Sequence, residues 1–270
     1  MFDDIERVGI IGGTGVHELP GLVAQDHEVE TPYGSVNVRI AEAEPFPVVY
    51  LNRHGLSREN PPHRINYRAN ITALRSLGVR RVMATNAVGS IIREVPPGSL
   101  MLIDDYLDFT SGRASTFYDG GPAGHAYTEM NTPCCPALRR KLLERAASTN
   151  IAIRPSGTYV CTNGPRFETP AEIRMFGKLG GDVVGMTGMP EVTLARELGM
   201  HYAAVAYSIN WAAGLEVQIE IVREGIPDLV FRLLALMLET LQSTDLQACG
   251  CAEPNMVTSP PREGGGLYRL

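Results

Sequence analysis

Short runs rich in Val, Ile and Ala alternate along the chain with longer segments in which apolar residues recur every three or four positions. The runs are typical of buried β-strands and the longer segments of amphipathic α-helices. The predicted strands are Arg7–Ile11, Val36–Ala41, Pro47–Leu51, Arg80–Thr85, Leu100–Asp104, Gly157–Cys161, Asp182–Gly185 and Tyr202–Ser208. The predicted helices are Tyr67–Leu77, Pro136–Ser148, Thr169–Gly177, Pro190–Leu198 and Pro227–Leu241. This alternation predicts a single-domain α/β fold with a largely parallel, mixed central sheet flanked by helices.

Two segments fit neither pattern. The stretch from Ser111 to Pro133 is polar and Gly-rich, which is typical of a lid, a subunit contact or a disordered loop. The stretch from Gly250 to Leu270 is rich in Gly and Pro, and we expect little regular structure there. The chain therefore divides into a main domain over residues 1–248 and a tail over residues 249–270.

Composition and charge exclude several classes of protein. The chain has 270 residues, of which 44% are hydrophobic, enough for one large core. A net charge of −6 argues against binding to nucleic acid or to an anionic membrane. The most apolar late stretch, residues 229–237, is short and contains Arg232, so no membrane span is predicted. The acidic N-terminus lacks the pattern of a signal peptide, which favours a cytoplasmic location.

The cysteines and basic residues limit the candidate chemistry. Five cysteines occur as Cys134-Cys135, Cys161 and Cys249-Gly-Cys251, and in a cytoplasmic chain they are expected to be free thiols. The spacing of the six histidines supplies no partner for a metal-binding cluster, so no metal is predicted. Only Lys141 and Lys178 are lysines among 24 basic residues. A phosphate or carboxylate site is therefore expected to use Arg, which holds two oxygens at once.

Polar or Gly-rich residues follow six of the predicted strands. They are Gly12-Gly13-Thr14-Gly15, Asn52-Arg53-His54-Gly55, Thr85-Asn86-Ala87-Val88-Gly89-Ser90, Thr162-Asn163-Gly164-Pro165-Arg166-Phe167-Glu168, Met186-Thr187-Gly188-Met189-Pro190-Glu191 and Ile209-Asn210-Trp211-Ala212. In open α/β sheets, ligands bind at the carboxyl ends of the strands. We therefore expect these residues to form one composite site.

Three of these segments have the chemistry of a phosphate site. The glycines at 12–15 offer backbone N–H groups without obstruction, Arg53 and His54 are paired donors, and Thr187 precedes a predicted helix. Each also has a purely structural interpretation: a tight turn, a surface Arg with a capping His, and a helix N-cap. The glycines do not form a complete dinucleotide-binding fingerprint, because no acidic residue follows at the required place.

Two further segments suit a purine base. The ring of Phe167 can stack on a base and the carboxylate of Glu168 can accept its N–H bonds, while the amide of Asn210 can donate and accept at the ring edge. The structural alternatives are a core Phe beside a solvated Glu, and an Asn in a turn after a strand.

These segments together resemble the trimeric purine nucleoside phosphorylase and methylthioadenosine phosphorylase family, from about Val8 to Leu241. The resemblance rests on Gly12-Gly13-Thr14-Gly15, Asn52-Arg53-His54-Gly55, His63-Arg64-Ile65-Asn66-Tyr67, Asn86-Ala87-Val88-Gly89-Ser90, Phe117-Tyr118-Asp119-Gly120, the segment from Gly164 to Glu172 and the segment from Met186 to Val192. It implies a phosphorylase/hydrolase-like fold and a homotrimer with active sites near the subunit interfaces. The implied reaction is phosphorolysis, in which inorganic phosphate attacks C1′ of a purine nucleoside, without a metal or organic cofactor.

The resemblance also implies a role for individual residues. The implied phosphate-binding residues are Thr14, Arg53, His54, Asn86, Ala87 and Thr187. Met186 would pack on the pentose, and the base would lie among Phe167, Glu168, Asn210, Trp211 and Ala212. The expected catalytic residues are Asn210 and His54.

The residues at the base and the sugar indicate the substrate. Adenosine-type members carry a Ser and an Asp-x-Asp where this chain has Glu168 and Asn210, and a carboxylate that accepts from N1–H suits a 6-oxopurine. Riboside-specific members place a His at the 5′ end, whereas this chain is shortened there and offers apolar Leu215, with Ile219 or Val222 as alternatives. An apolar wall leaves a hydroxyl unpaired and suits a methylthio group, which makes 5′-methylthioinosine the expected substrate.

Several alternatives stay open. They are an inosine or guanosine phosphorylase, a 5′-methylthioadenosine phosphorylase, a dinucleotide-binding protein and a catalytically silent nucleoside-binding homologue. His125 either reaches a neighbouring subunit's pocket, as that loop does in family trimers, or is a solvated loop residue. Cys249-Gly-Cys251 resembles a motif that forms a local disulfide in some heat-stable relatives.

Overall fold

The fold is given by a computed structural model that describes residues 6–13, 19–55, 57, 59–120, 124–243, 248–252 and 255–259. Its strands are β1 (Arg7–Gly12), β2 (Ala24–Val29), β3 (Val36–Ala41), β4 (Val48–Asn52), β5 (Val79–Ser90), β6 (Leu100–Leu102), β7 (Asp105–Asp108), β8 (His125–Thr128), β9 (Ile153–Arg154), β10 (Thr158–Cys161), β11 (Val183–Gly185), β12 (His201–Trp211) and β13 (Asn255–Ser259). Its helices are α1 (Tyr67–Ser76), α2 (Pro136–Ser148), α3 (Pro170–Lys178), α4 (Glu191–Glu197) and α5 (Ile226–Leu241). Single 3-10 turns lie at Pro62–Arg64 and Gly250–Ala252.

The long strands β5 and β12 form the centre of a mixed sheet that contains eleven of the described strands. The main path runs β2-β3-β4-β1-β5-β11-β10-β7. Beside this path, β12 pairs with β5 and β6, and β6 pairs with β9. Strand β1 is parallel to β4 and β5, and β12 is parallel to β5. Strand β11 is parallel to β10 but antiparallel to β5, so its carboxyl end returns toward the middle of β5.

Helices cover both faces of this sheet. Helices α1 and α4 pack together on one face, where Leu74 and Leu194 belong to the same buried cluster. Helices α2 and α5 pack together on the other face through residues such as Leu142 and Met237. Helix α3 buries Phe176 in a smaller cluster with residues of β10 and β11. None of the helices in the described ranges is long and apolar enough to span a lipid bilayer.

Two central strands are longer than the sequence predicts. Strand β5 is expected to end at Thr85 but continues to Ser90, because β12 and then β11 pair with its second half. Strand β12 is expected to end at Ser208 but continues to Trp211 across a register shift at Ile209. The extra residues are held by partners distant in sequence, which local patterns do not reveal. The motif at residues 86–90 therefore lies within a strand instead of following one.

The polar loop and the tail contain regular structure that the sequence does not predict. Strand β8 lies in the loop between Ser111 and Pro133, and it pairs antiparallel with β13 of the tail. The expectation that the tail has little regular structure is therefore wrong for residues 255–259. Each of these strands is short and finds its only described partner in the other, so neither segment shows a strand pattern by itself. The boundary between residues 248 and 249 stays a prediction.

Candidate active site

A cavity of about 250 Å³ lies where the segments after β4, β10 and β11 meet the last residues of β5 and the end of β12. Its lining includes Gly13, Arg53, His54, Ala87, Gly89, Phe167, Glu168, Met186, Thr187, Asn210, Ala212, Ala213, Ile219 and Ile221. The predicted convergence of separate segments on one site is therefore found. Arg53, His54, Ala87 and Thr187, expected to bind phosphate, face the same space as Phe167, Glu168, Asn210 and Ala212, expected to bind the base.

Four residues of the predicted site do not line this cavity. Asn86 is buried on β5, and its amide instead donates to Thr187, which does line the cavity. Trp211 follows Asn210 on β12, and because side chains alternate along a strand it faces the other way, where the guanidinium of Arg93 lies 4.6 Å from its ring centroid. Leu215 packs instead against the cluster around α3. His125 is exposed on β8. The expected phosphate ligand Thr14 falls outside the described residues.

Arg53 is held by a buried ion pair with Glu191. Its Nε and Nη2 donate to the two carboxylate oxygens at 2.6 and 2.8 Å, and the two side chains are only 1% and 2% exposed. A third bond runs from Nη1 to the carbonyl oxygen of Thr85 at 3.0 Å. Burial lowers the pKa of Arg53, but the Glu191 carboxylate more than offsets this, so the net pKa is raised and the cation is permanent. The interpretation of Arg53 as a surface residue is excluded.

The partners of this ion pair extend it into a wider network. The hydroxyl of Tyr202 donates to Oε1 of Glu191 at 2.9 Å, and burial raises the pKa of Tyr202 well above its usual value, so the hydroxyl stays a donor. The backbone N–H of Gly13 donates to the hydroxyl of Thr85 at 3.1 Å. A Cβ on Gly13 would lie 3.0 Å from Nη1 of Arg53, so glycine permits this close approach.

His54 and Thr187 present further polar groups to the same cavity. Nδ1 of His54 lies 2.9 Å from the carbonyl oxygen of Asn60, and since a carbonyl only accepts, Nδ1 carries the proton. The hydroxyl of Thr187 accepts from Nδ2 of Asn86 at 3.0 Å, and its backbone N–H donates to the hydroxyl of Tyr159 at 3.2 Å. Helix α4 has Pro190 at its N-cap position and no side-chain cap, so Thr187 is not an N-cap.

Phe167 and Glu168 also line the cavity, and their burial is the reverse of the structural alternative, a core Phe beside a solvated Glu. Phe167 is 49% exposed, whereas Glu168 is only 8% exposed. Oε1 of Glu168 accepts a bond of 2.7 Å from the hydroxyl of Thr162, which fixes the carboxylate. The two residues stand directly before α3, whose first turn is secured by a reciprocal pair of bonds between Thr169 and Glu172.

Asn210 lies near the end of β12, just past the register shift at Ile209. It is 4% exposed and pairs with Gly89 of β5, so it is a buried strand residue and not a turn residue. One N–H of its Nδ2 donates to the carbonyl oxygen of Trp211 at 2.8 Å. An amide carries a second N–H and a carbonyl oxygen, so Asn210 retains both a donor and an acceptor for a ligand.

Arg113 organises the cavity from the long loop and was missed by sequence reasoning. Its guanidinium donates to the carbonyl oxygens of Thr162 (3.3 Å), Asn163 (3.1 Å), Met186 (2.8 Å) and Met189. These acceptors follow β10 and β11, so one side chain joins the two segments that carry the base and phosphate residues. A lone Arg in a Gly-rich loop gives no local signal of this role. Glu191 was also missed, because it was interpreted only as part of a helix start.

The comparisons with known proteins agree with this geometry. A model of the phosphorylase superfamily matches residues 7–241. A 6-oxopurine nucleoside phosphorylase from Pyrococcus furiosus is 43% identical over 259 residues, covering 92% of this chain and 97% of the relative. A probable S-methyl-5′-thioinosine phosphorylase from Methanopyrus kandleri is 50% identical over 211 residues, covering 78% and 80%. The structure of a methylthioadenosine phosphorylase from Schistosoma mansoni in complex with tubercidin has a TM-score of 0.81 at 32% identity, covering 87% and 90%.

The chain therefore belongs to the phosphorylase superfamily. The family resemblance, the α/β fold class and the pentosyltransferase type of enzyme predicted from the sequence are confirmed. The names of the relatives differ in the base and in the 5′ group of the nucleoside, so these two features need an argument from the residues of this chain.

Proposed function

We propose that the protein catalyses phosphorolysis of 6-oxopurine nucleosides and prefers 5′-methylthioinosine, giving hypoxanthine and 5-methylthioribose 1-phosphate. The observation that carries the proposal is that buried Glu168 and buried Asn210 line the same cavity as Arg53, His54 and Thr187. A base-recognition pair and a set of anion-binding groups thus line one cavity of about 250 Å³. Met186 lines the same cavity and is the proposed contact of the pentose.

Phosphate is bound at the end of the cavity formed by Arg53, His54 and Thr187. The Arg53 cation is permanent and fixed by Glu191, and the hydroxyl of Thr187 is positioned by Asn86. Fixed donors cost little reorganisation when charge develops during the reaction. The bound phosphate stabilises the positive charge that grows on the sugar and then forms the new bond to C1′. Asn86 holds the hydroxyl of Thr187, and Ala87 lines the cavity beside it in the chain. Thr14 completes the proposed phosphate ligands.

The base is recognised by Glu168 and Asn210. In a 6-oxopurine N1 carries a hydrogen, which the Glu168 carboxylate accepts, whereas N1 of adenine is an acceptor and would face a second acceptor. Asn210 donates to N7 or O6, where negative charge grows as the glycosidic bond breaks. A donor that strengthens in the transition state accelerates the reaction, and loss of one such donor costs about 3–4 kcal/mol in comparable sites. Phe167 stacks on the base from the mouth of the cavity.

The 5′ group is placed against an apolar wall. Ile219, Ile221 and Ala213 line the cavity, whereas Leu215 lies outside it, which favours Ile219 among the residues considered from the sequence. An apolar wall stabilises a methylthio group and leaves a 5′-hydroxyl without a partner. Two of the relatives, from Pyrococcus furiosus and Methanopyrus kandleri, are named for 6-oxopurine and thioinosine substrates, which supports both halves of the proposal.

The test is a comparison of initial rates on 5′-methylthioinosine, 5′-methylthioadenosine, inosine and adenosine, each with and without phosphate. We expect phosphate-dependent release of hypoxanthine, fastest from 5′-methylthioinosine. Equal rates on inosine would retain the base assignment and refute the 5′ pocket. A higher rate on 5′-methylthioadenosine would refute the base assignment, and no phosphate-dependent reaction would indicate a silent nucleoside-binding homologue.

The Asn210→Asp variant tests the base assignment within the protein. Asp has the same size but cannot donate when ionised, so turnover of 6-oxopurine nucleosides should fall by about 100-fold to 1,000-fold. The matched control is Asn37→Asp, because Asn37 is exposed on β3 and does not line the cavity. Unchanged turnover in Asn210→Asp would remove Asn210 from the proposed mechanism.

The proposal includes a homotrimer in the cytoplasm that uses no organic cofactor. Exposed Phe109 and Met175 line one surface depression beside Phe176, Arg166 and Glu172, and exposed apolar side chains within a polar rim are suited to a subunit interface. In a trimer, exposed His125 is available to a neighbouring chain and not to its own cavity. Light scattering should give three times the chain mass of 29.3 kDa, and a mass of one chain would refute the assembly.

A further inference from the structure

Four metal-ligating side chains lie together in a cluster that the phosphorylase site does not use. The ligand atoms of Cys135, His201, Cys249 and Cys251 all lie within 4.8 Å of one another. Cys135 precedes α2, His201 begins β12, and the two other cysteines lie on the 3-10 turn after α5 and beside it. The sequence predicts no metal because spacing along the chain does not bring histidine to the cysteines; the fold does so.

Three of the six separations within the cluster are close to the edges of a metal tetrahedron. Sγ of Cys135 lies 3.6 Å from Sγ of Cys249 and 3.6 Å from Nδ1 of His201, and Nδ1 lies 3.1 Å from Sγ of Cys249. With Zn–S bonds of about 2.3 Å and Zn–N bonds of about 2.0 Å, tetrahedral zinc requires S···S edges of about 3.8 Å and S···N edges of about 3.5 Å. All five cysteines of the described chain are free, so no disulfide competes for these thiols.

The backbone around the cluster holds the ligands in place. The N–H of Cys135 donates to the carbonyl oxygen of Tyr202 at 2.7 Å, which joins the start of α2 to the start of β12. The carbonyl oxygen of Ala252 lies 3.0 Å from where a Cβ on Gly199 would stand, and Gly199 has a φ of 66°. Glycine there lets the turn at Gly250–Ala252 pack against the start of β12. Cys135 and Cys251 are buried and the other two ligands are half-buried.

We propose a structural zinc site whose ligands are Cys135, His201, Cys249 and Cys251. Four protein ligands leave no open position for substrate, which distinguishes a structural from a catalytic zinc. The site is also remote from the cavity, because His201 begins β12 and Asn210 lies near its other end, about 30 Å away at about 3.3 Å per residue. The ion joins the segment after α5 to the body of the domain, just before β13 reaches β8. Its role is therefore to secure the tail.

The first test is the metal content of the full-length protein, purified under reducing conditions and refolded with one equivalent of Zn²⁺. We expect about one zinc per chain by mass spectrometry. Cys251→Ser and His201→Ala should each lose most of it, whereas Cys134→Ala should retain it, since Cys134 faces Tyr106 and not the cluster. Zinc at less than a tenth of an equivalent in the parent protein would overturn the proposal, and so would equal loss in Cys134→Ala.

A second measurement tests the zinc site on the parent protein, so it does not depend on whether the variants fold. Co²⁺ substituted into the parent protein should give the visible bands of a tetrahedral thiolate complex, and these should disappear on addition of Zn²⁺. Their absence would overturn the proposal. A disulfide between any two of the three cluster cysteines, found by alkylation and mass spectrometry of protein kept under reducing conditions, would do so as well. The zinc site and the phosphorylase activity are measured separately, so either can fail alone.

Discussion

The buried ion pair between Arg53 and Glu191 should be the most costly polar contact of the cavity to break. Both side chains are almost fully buried, and the carboxylate accepts three hydrogen bonds, two from Arg53 and one from Tyr202. Glu191→Gln keeps the size of the side chain but removes its charge. The guanidinium then stays buried without a counter-charge, and removal of one partner of such a pair costs about 3–5 kcal/mol.

The assay is unfolding in urea without phosphate, with Glu172→Gln as the matched control. Glu172 also forms a two-point pair, with Arg166 at 2.7 and 2.8 Å, but that pair lies at the surface. If m is about 3 kcal/mol per molar urea, a loss of about 3 kcal/mol lowers the unfolding midpoint of Glu191→Gln by about 1 M. Glu172→Gln should unfold close to the parent protein, since water screens its charges. Equal midpoints for the two variants would refute the reasoning.

Phosphate provides a second readout on the same variant. If phosphate binds against Arg53, its negative charge replaces part of what Glu191 supplied, so phosphate should raise the midpoint of Glu191→Gln more than that of the parent protein. A ligand at about 100 times its dissociation constant stabilises a protein by about 2.7 kcal/mol, which sets the scale of the recovery. Sodium chloride at equal ionic strength is the control. The same gain with chloride would show that screening, and not binding, is responsible.

Three other predictions concern single side chains. Arg113→Ala should lower kcat/KM by about 10-fold to 100-fold, because hydrogen bonds from a charged donor contribute about 1.5–3 kcal/mol. The measurement is steady-state kinetics on a variant whose circular dichroism is unchanged. Unchanged kinetics would contradict the prediction. Ile219→His should shift the substrate preference from 5′-methylthioinosine toward inosine. Leu215→His should not, since of these two residues only Ile219 lines the cavity. Equal shifts in competitive assays would contradict the assignment of the 5′ pocket. Burial raises the pKa of the Cys161 thiol to about 12, so it should resist alkylation at pH 8 until the protein unfolds, as followed by mass spectrometry. Rapid modification of native Cys161 would contradict its burial.

The elements of the fold were largely predictable because their signals are local. The predicted bounds of β3 and α2 agree with the structure, and α1, α3 and α5 agree within one residue at each end. Strands β2, β7 and β9 were not predicted, because they are short or polar and lie toward the edges of the sheet. Much of the cavity was also predictable, because segments that follow parallel strands converge at one edge of a sheet.

The direction in which an individual side chain points could not be predicted, because it depends on how the strands pair in the folded protein. Asn210 and Trp211 are neighbours in one motif, yet the register of β12 against β5 turns the first toward the cavity and the second away. Leu215 and Ile219 lie in one irregular segment without a periodic pattern, so the sequence offered no means to choose the one that lines the cavity.

The sequence by itself determined the α/β class, the order of the helices and of the main strands, the family and most of the groups that line the cavity, because periodicity and motifs involve residues close together in the chain. Only the tertiary structure decided that Glu191 neutralises Arg53, that Arg113 joins two segments of the site, and that His201 meets three cysteines. Each of these contacts joins residues far apart in sequence. Their energies depend on burial and on distances of a few ångströms, which exist only after the chain has folded.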